Sequence, residues 1–481
     1  MEQRKNVYKM YVNGKWIDAR SAAVIEVLNP ATGEAVAEIP RANSQDVHAA
    51  IEAAFYAKDT SKRLTAAERS SILEKVAHLM EQREKEFTER IVLEAGKPYE
   101  ESESEVKAAI LRIRFAAEEA KDIRGEAFRG DMVTGTAKKV GMMLRYPLGV
   151  IVGISPFNYP LNNPASKIGP AIAAGNTVVF KPSSDDPGPV ILLAQCFEEA
   201  GLPAGILNVV TGGGQEVGDE LVVNPRVNMV SFTGSTEVGR HIAEKAVFAK
   251  LHLELGGKCP ALVFEDADLD LSVKEVGKGA FKYAGQRCDA LSRILVVEKV
   301  YDSFVTKMVD EAKNWSLGDP MDFQIKMGPL INEKGIKKVE ELVQDALSKG
   351  ATLHVGGKKR NGLFFEPTLL GNVTTQMRIA WEETFGPVAA ILKVKDSTEA
   401  LEIANRSEYG LDSAVFTQSL DRALDAALRL ETGTVQINAA PSHGVGNFPF
   451  GGDEVSGLGR EGIKVSVEEM TSTKSIIFNQ R

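Results

Sequence analysis

Between residues 148 and 255 the chain alternates strand-like apolar runs with helical patterns. The runs fall at 148–154, 176–180, 206–211, 228–232 and 250–255, and the helical patterns at 165–174, 190–200, 216–222 and 236–246. Strands separated by single helices are βαβ units, which build a parallel sheet covered on both faces. A doubly wound sheet of this kind takes its ligands at the carboxyl ends of its strands. After Gly257 the pattern restarts, with strands at 261–264, 293–297 and 389–394, a helix headed by Asp268, and helices at 301–312 and 334–349. A chain of 481 residues exceeds one compact core, so two α/β domains with a cleft between them are expected.

Ahead of this region, 11–18 and 24–29 read as short strands, with Asn13-Gly14 as a hairpin turn. Ser44 is placed to cap a helix running through Ile51 and Phe55. Thr65 and Glu68 form a capping box for a long amphipathic helix ending near Gly96 and Pro98. A second charged helix, about 100–123, carries Ile110, Ile113 and Ala117 at helical spacing and should pack on the first. A strand follows at 140–146.

A net charge of -9 without a long basic run opposes nucleic acid as a partner. The first ten residues are polar and no apolar run reaches about 18 residues, so neither a signal peptide nor a membrane span is expected, and the location should be cytoplasmic. Three cysteines, Cys196, Cys259 and Cys288, are too few and too widely spaced for a disulfide framework or a zinc site, and no metal is expected.

Cys288 stands apart in Ala284-Gly285-Gln286-Arg287-Cys288-Asp289. Small residues and a permanent cation suit a presented thiolate better than a buried sulfur, and Arg287 should lower the thiol pKa. Cys196, inside an apolar helix, and Cys259, beside a strand, read as structural. Three loops end strands of the first unit. Gly212-Gly213-Gly214 through Gly218 is glycine-rich without the usual dinucleotide spacing, and Phe232-Thr233-Gly234-Ser235 leads straight into a helix whose free N–H groups attract phosphate. In the third, Glu254 alternates with Leu251, Leu253 and Leu255, so it is either a solvated strand end or, facing Cys288 across a cleft, a general base.

Together these stretches, with Ser155-Pro156-Phe157-Asn158, Phe180-Lys181-Pro182-Ser183, Glu382-Glu383-Thr384-Phe385-Gly386-Pro387 and Pro449-Phe450-Gly451-Gly452, resemble the aldehyde dehydrogenase superfamily along essentially the whole chain. The resemblance implies a doubly wound cofactor domain (1–125 and 148–257), an α/β catalytic domain (258–447) and oligomerisation strands (126–147 and 465–481). A homo-oligomer, dimer or tetramer, is then expected. By the same resemblance, Cys288 attacks the aldehyde, Asn158 and the Cys288 N–H hold the oxyanion, and Glu254 activates the water that opens the thioester. Lys181 and Glu383 would hold ribose hydroxyls. Gly214, Gly218 and Ser235 would approach adenosine and pyrophosphate, and Phe385 would lie by the nicotinamide. Ser155, Pro156, Phe157, Phe232, Gly234 and Leu255 complete the cofactor wall.

Cofactor choice turns on Ser184, where NAD-preferring members commonly carry a glutamate that repels a 2′-phosphate. Its hydroxyl, with Ser183 and Lys181, could donate to that phosphate, so NADP should serve at least as well as NAD. Asp186 before Pro187 reads as a helix N-cap, leaving Asp185 in the approach loop.

Arg287, Tyr159 and the 468–471 tail resemble the branch of non-phosphorylating glyceraldehyde-3-phosphate, lactaldehyde and glyceraldehyde dehydrogenases. Arg287 would then read an anionic or oxygen-rich substrate end, with Tyr159 and His443 beside it. Ala108 and His443 stand where the phosphate-binding branch carries arginines. Two rival readings differ in one feature each. A coenzyme-A-acylating relative needs no hydrolytic base, and Glu254 argues against it; a non-enzymatic protein on the same scaffold would tolerate loss of Cys288, Asn158 or Glu254, and all three are present.

Overall fold

The computed structural model describes residues 5–479. Its first sheet has five parallel strands in the spatial order Lys250–Glu254, Met229–Thr233, Val150–Ile154, Thr177–Lys181, Leu207–Val209. The antiparallel hairpin Met10–Val12 and Lys15–Ile17 adds to one edge, and Gly457–Leu458 to the other. Asn13 and Gly14 both take positive φ, 53° and 72°, as the Asn-Gly hairpin requires.

Every residue of Val150–Ile154 and Thr177–Lys181 is buried, which is why these strands read as unbroken apolar runs. Ile151 and Val178 face one apolar cluster, and Val150, Val152 and Val179 face another on the opposite side. From Val150–Ile154 the chain first builds outward through Thr177–Lys181 and Leu207–Val209, then returns to the other side with Met229–Thr233. That reversal opens a crevice beyond Ile154 and Thr233, where a doubly wound sheet binds its ligand.

The second sheet runs Thr352–Val355, Thr368–Gly371, Val388–Val394, Arg293–Val297, Pro260–Val263, Asp412–Phe416, Thr434–Ile437, all parallel except the first. A third sheet is antiparallel: Lys139–Pro147 pairs along its full length with Thr471–Asn479 and, on its other side, with Glu126–Arg129. The expected C-terminal strand therefore starts later than residue 465, because Ile463–Glu469 is a helix. Gln480 and Arg481 lie outside the described residues, as do residues 1–4 of the polar N-terminal stretch. No helix among the described residues is long and apolar enough to cross a membrane.

Three helix boundaries differ from expectation. Asn43, not Ser44, caps the helix Ser44–Arg63, its side chain accepting from the N–H groups of Gln45 and Asp46 while Asp46 accepts in return. The long helix breaks at Arg83 into Ala66–Gln82 and Glu84–Ala95, the latter closed by Gly96 at φ 64°. Pro187, not Asp186, precedes the helix Gly188–Glu199, whose Gly188 N–H donates to Glu94 from another helix. Asp186 thus caps nothing.

Candidate active site

A cavity of about 780 Å³ is lined by residues of both α/β units, and Asn158, Glu254 and Cys288 all reach it from separate chain segments. Beyond the helix Leu269–Phe281 the chain passes through three successive left-handed residues, Tyr283, Ala284 and Gly285. Two of these carry a Cβ, at a cost of about 1–3 kcal/mol each. The buried Tyr283 side chain opposes that cost, donating to Ala95 O at 2.9 Å under the Lys97 ammonium at 4.5 Å. At Gly285 a Cβ would lie 2.2 Å from Gly386 O, so only glycine fits. Gln286 then braces the loop, donating to Pro329 O and accepting from Ile331 N.

The Asn158 loop is fastened from the helix Tyr99–Glu119, where Glu105 accepts from Leu161 N at 2.9 Å and Asn162 N at 3.1 Å. Glu105 is itself paired with buried Lys97, whose ammonium lies 3.9 Å from the Tyr159 ring centre. Asn158 is buried; its Nδ2 donates one N–H to Gln286 O at 3.0 Å and keeps a second. Asn158 and the Cys288 loop are thereby tied together.

Cys288 is only half-buried, yet burial of its sulfur pushes the thiol pKa well up, and Asp289, Cys259 and Glu254 add to this. Arg287 offsets only part of the rise. Arg287 thus acts in the expected direction but does not prevail, because it is 5% exposed and gives Nε and Nη2 to Asp289, each at 2.9 Å. Nη2 also donates to Pro441 O at 3.2 Å, leaving Nη1 outside these bonds. His443 is no solvated loop residue either. Its ring stacks on Phe450 at 4.0 Å, with Nε2 3.0 Å from Asp412 and 3.4 Å from Asp289. Burial works to lower its pKa, but the two carboxylates prevail and raise it to about 9. Both cations are thus balanced within the protein.

Arg112 is not. It lines the same cavity, its Nε is buried without a partner, and it makes no ion pair among the described residues. Sequence reading passed over it as one charge on a polar helix. Ala108, one helical turn earlier on the same face, was the available signal.

Glu254 is 3% exposed, and burial raises its pKa, opposed by His252. Both its oxygens lack hydrogen bonds, which leaves them for a water or a reacting group. On the expected cofactor side, Pro156, Phe157, Gly234, Ser235, Leu255, Glu383 and Phe385 line the cavity. The rings of Phe157 and Phe385 meet edge-on at 5.8 Å. Glu383 accepts from Gly257 N at 3.2 Å. Phe232 lies behind this wall in the apolar core.

Lys181, Ser183, Ser184, Gly214 and Gly218 lie farther along the carboxyl edge. Burial lowers the Lys181 pKa to about 8, and its ammonium donates to Pro182 O at 3.2 Å. Ser155 Oγ and Thr233 Oγ1 are buried and unpartnered at strand ends. A Cβ on Gly214 or Gly218 would meet nothing within 4 Å, so the start of the helix Gly214–Val223 faces open space. Unpartnered donors, an open helix start and the Ser235-capped helix Thr236–Lys245 fit a phosphate-bearing dinucleotide. One assignment changes: the Ser184 hydroxyl donates to Gly212 O at 2.8 Å, whereas Ser183 Oγ accepts from Asp185 N and has its own proton beside the Asp186 carboxyl. Ser183 is therefore the more available phosphate donor of the two.

The profile of the aldehyde dehydrogenase family matches residues 16–476. The chain belongs to the aldehyde dehydrogenase family. It is 41% identical over 473 residues to the NADP-dependent glyceraldehyde-3-phosphate dehydrogenase of Streptococcus equinus, covering 98% of each chain. It is 40% identical over 474 residues to a lactaldehyde dehydrogenase of Methanococcus maripaludis, covering 98% of this chain and 100% of that one. Among solved structures, the NADP complex of the NADP-dependent glyceraldehyde-3-phosphate dehydrogenase of Bacillus halodurans superposes with a TM-score of 0.97 at 41% identity, over 99% of this chain and 100% of that one. This aldehyde dehydrogenase shares both the branch and the fold that its motifs suggested.

Proposed function

We propose that this aldehyde dehydrogenase uses NADP to oxidise a small aldehyde with an anionic or oxygen-rich end, such as glyceraldehyde 3-phosphate, glyceraldehyde or lactaldehyde, to its carboxylate. The observation that carries the chemistry is the convergence of Cys288, Asn158 and Glu254 on one cavity from three chain segments. The Cys288 thiolate adds to the carbonyl carbon, forming the S–C bond as the π electrons move to oxygen. That oxyanion accepts from the free N–H of Asn158 Nδ2 and from the Cys288 backbone N–H. Lys181, Ser183, Ser235, Glu383 and Phe385 would hold a nicotinamide dinucleotide, which when bound would accept the hydride that the sulfur-bonded carbon loses as its C=O re-forms, leaving a thioester on Cys288. Glu254 then takes a proton from water as its oxygen attacks the thioester; the C–S bond breaks, giving the Cys288 thiolate and the carboxylic acid, which ionises by releasing its remaining proton to solvent.

For the substrate end, Arg112 is a lining guanidinium with no ion pair among the described residues, whereas Arg287 and His443 are matched by Asp289 and Asp412. A free guanidinium in a dry wall favours an anion. Tyr159, His443 and Arg287 Nη1 lie on the same wall and contribute shape and further polar contact. Steady-state rates of NADP reduction with glyceraldehyde 3-phosphate, lactaldehyde and propanal test this. We expect kcat/KM for the phosphorylated aldehyde to exceed that for propanal about tenfold or more; equal values would overturn the reading.

The protein is proposed to act as a cytoplasmic homo-oligomer. Leu420, Leu424 and Leu428 form an exposed stripe on the helix Leu420–Arg429, Thr434–Ile437 is an open sheet edge, and Ile477 and Phe478 are exposed on the strand extension. Such surfaces are covered in stable proteins. Light scattering should give a dimer or tetramer, and a monomer would refute it.

A further inference from the structure

His252 and Glu254 lie two residues apart on the strand Lys250–Glu254, so their side chains leave the same face. The His252 ring is 3% exposed. Nδ1 lies 2.7 Å from Glu469 Oε2, and Nε2 lies 3.4 Å from Glu254 Oε1. Neither Nε2 nor the Glu254 oxygens have a hydrogen-bond partner, so each is the nearest available match for the other. Glu469 ends the helix Ile463–Glu469, and its side chain is 22% exposed. Gly459 closes over the contact: a Cβ there would lie 3.1 Å from both His252 Nδ1 and a Glu469 oxygen. The result is a line of three titratable groups from the cavity to solvent.

We propose that His252, held by Glu469, is the positioning residue of the base Glu254: its ring steadies the carboxylate and favours its ionised form. The proposal rests on Glu254 being the deacylating base. In each turnover Glu254 gains one proton from the hydrolytic water. The imidazolium beside it favours the return of Glu254 to the carboxylate between turnovers. Other charges face the group. Lys167 and Glu461 form an ion pair at 3.3 Å near Glu254, and the Lys250 ammonium donates to the backbone oxygen of Glu469. Burial alone would lower the His252 pKa, but Glu254 and Glu469 prevail and raise it to about 9. At neutral pH the ring therefore rests as the cation.

The sign of the effect follows. An adjacent cation favours the carboxylate form of Glu254, so removing it raises the Glu254 pKa and makes the base inactive over a wider acidic range. His252→Gln should lower kcat about tenfold near neutral pH, move the acid limb of kcat upward by about one pH unit or more, and leave KM for the aldehyde and the burst of reduced NADP in place. Glu469→Gln, at the exposed end, should move the limb the same way by less, and it decides the matter if His252→Gln does not fold. A uniform loss of kcat with the acid limb unmoved would make His252 merely structural and overturn the proposal. Loss of the burst in Glu254→Gln would instead overturn the role of Glu254, so the two failures are told apart.

Discussion

Asp289 takes both Nε and Nη2 of Arg287, each at 2.9 Å, with Cys288 between them in the chain. A fork-on-fork pair of this kind fixes the loop and spends the guanidinium charge inside the protein.

Substrate discrimination should therefore depend on Arg112 more than on Arg287. We expect Arg112→Ala to raise KM for glyceraldehyde 3-phosphate about tenfold or more while changing that for propanal less than about twofold. Arg287→Ala should impair both aldehydes alike, because it loosens the Cys288 and Pro441 segments. Steady-state kinetics on the two aldehydes separate these outcomes; the reverse pattern would return the role to Arg287.

The second expectation concerns the thiol. Burial, Asp289, Cys259 and Glu254 hold the Cys288 pKa well up, so the thiolate fraction in the cofactor-free enzyme is small at neutral pH and grows as pH rises. Iodoacetamide inactivation should accelerate through pH 8 and beyond, past the ordinary thiol pKa of about 8.5, without levelling near neutrality. A plateau below about pH 7 would mean that Arg287 governs the sulfur after all.

Much of this was legible in the sequence, and the reasons are physical. Strands buried on both faces read as continuous apolar runs, and the loops at their ends carried Asn158, Glu254 and Ser235 where a switch point places them. What escaped depends on rotation and on side-chain pairing across loops. Arg112 is indistinguishable from a solvated charge until the orientation of the helix Tyr99–Glu119 is known. The Arg287–Asp289 pair joins side chains two residues apart across Cys288, which sequence spacing alone does not fix. Strands such as Asp412–Phe416 and Thr434–Ile437 were missed because runs of four or five residues carry little periodicity. His252 was within reach: a histidine two positions before Glu254 on a strand must share its face.

Cofactor preference provides a third test. Ser184 is uncharged and its hydroxyl is held by Gly212 O, while that of Ser183 lies beside Asp186 and is the more available of the two. NADP should be used at least as well as NAD. Ser184→Glu should shift the ratio of kcat/KM values toward NAD about tenfold or more, through repulsion of the 2′-phosphate, and Ser183→Ala should weaken NADP selectively. Strong NAD preference in the unaltered enzyme would mean that Asp185 faces the ribose.

The account rests on a covalent bond to Cys288 that Glu254 is needed to break. Glu254→Gln should slow turnover about 10²–10⁴-fold while the first turnover still reduces one NADP per active site. Mass spectrometry of that variant, quenched after mixing with NADP and glyceraldehyde 3-phosphate, measures the consequence directly. The expected result is one acyl group on the peptide that contains Cys288, none on those containing Cys196 or Cys259, and no adduct in a Cys288→Ala protein; a full burst with Cys288 unmodified would contradict the account.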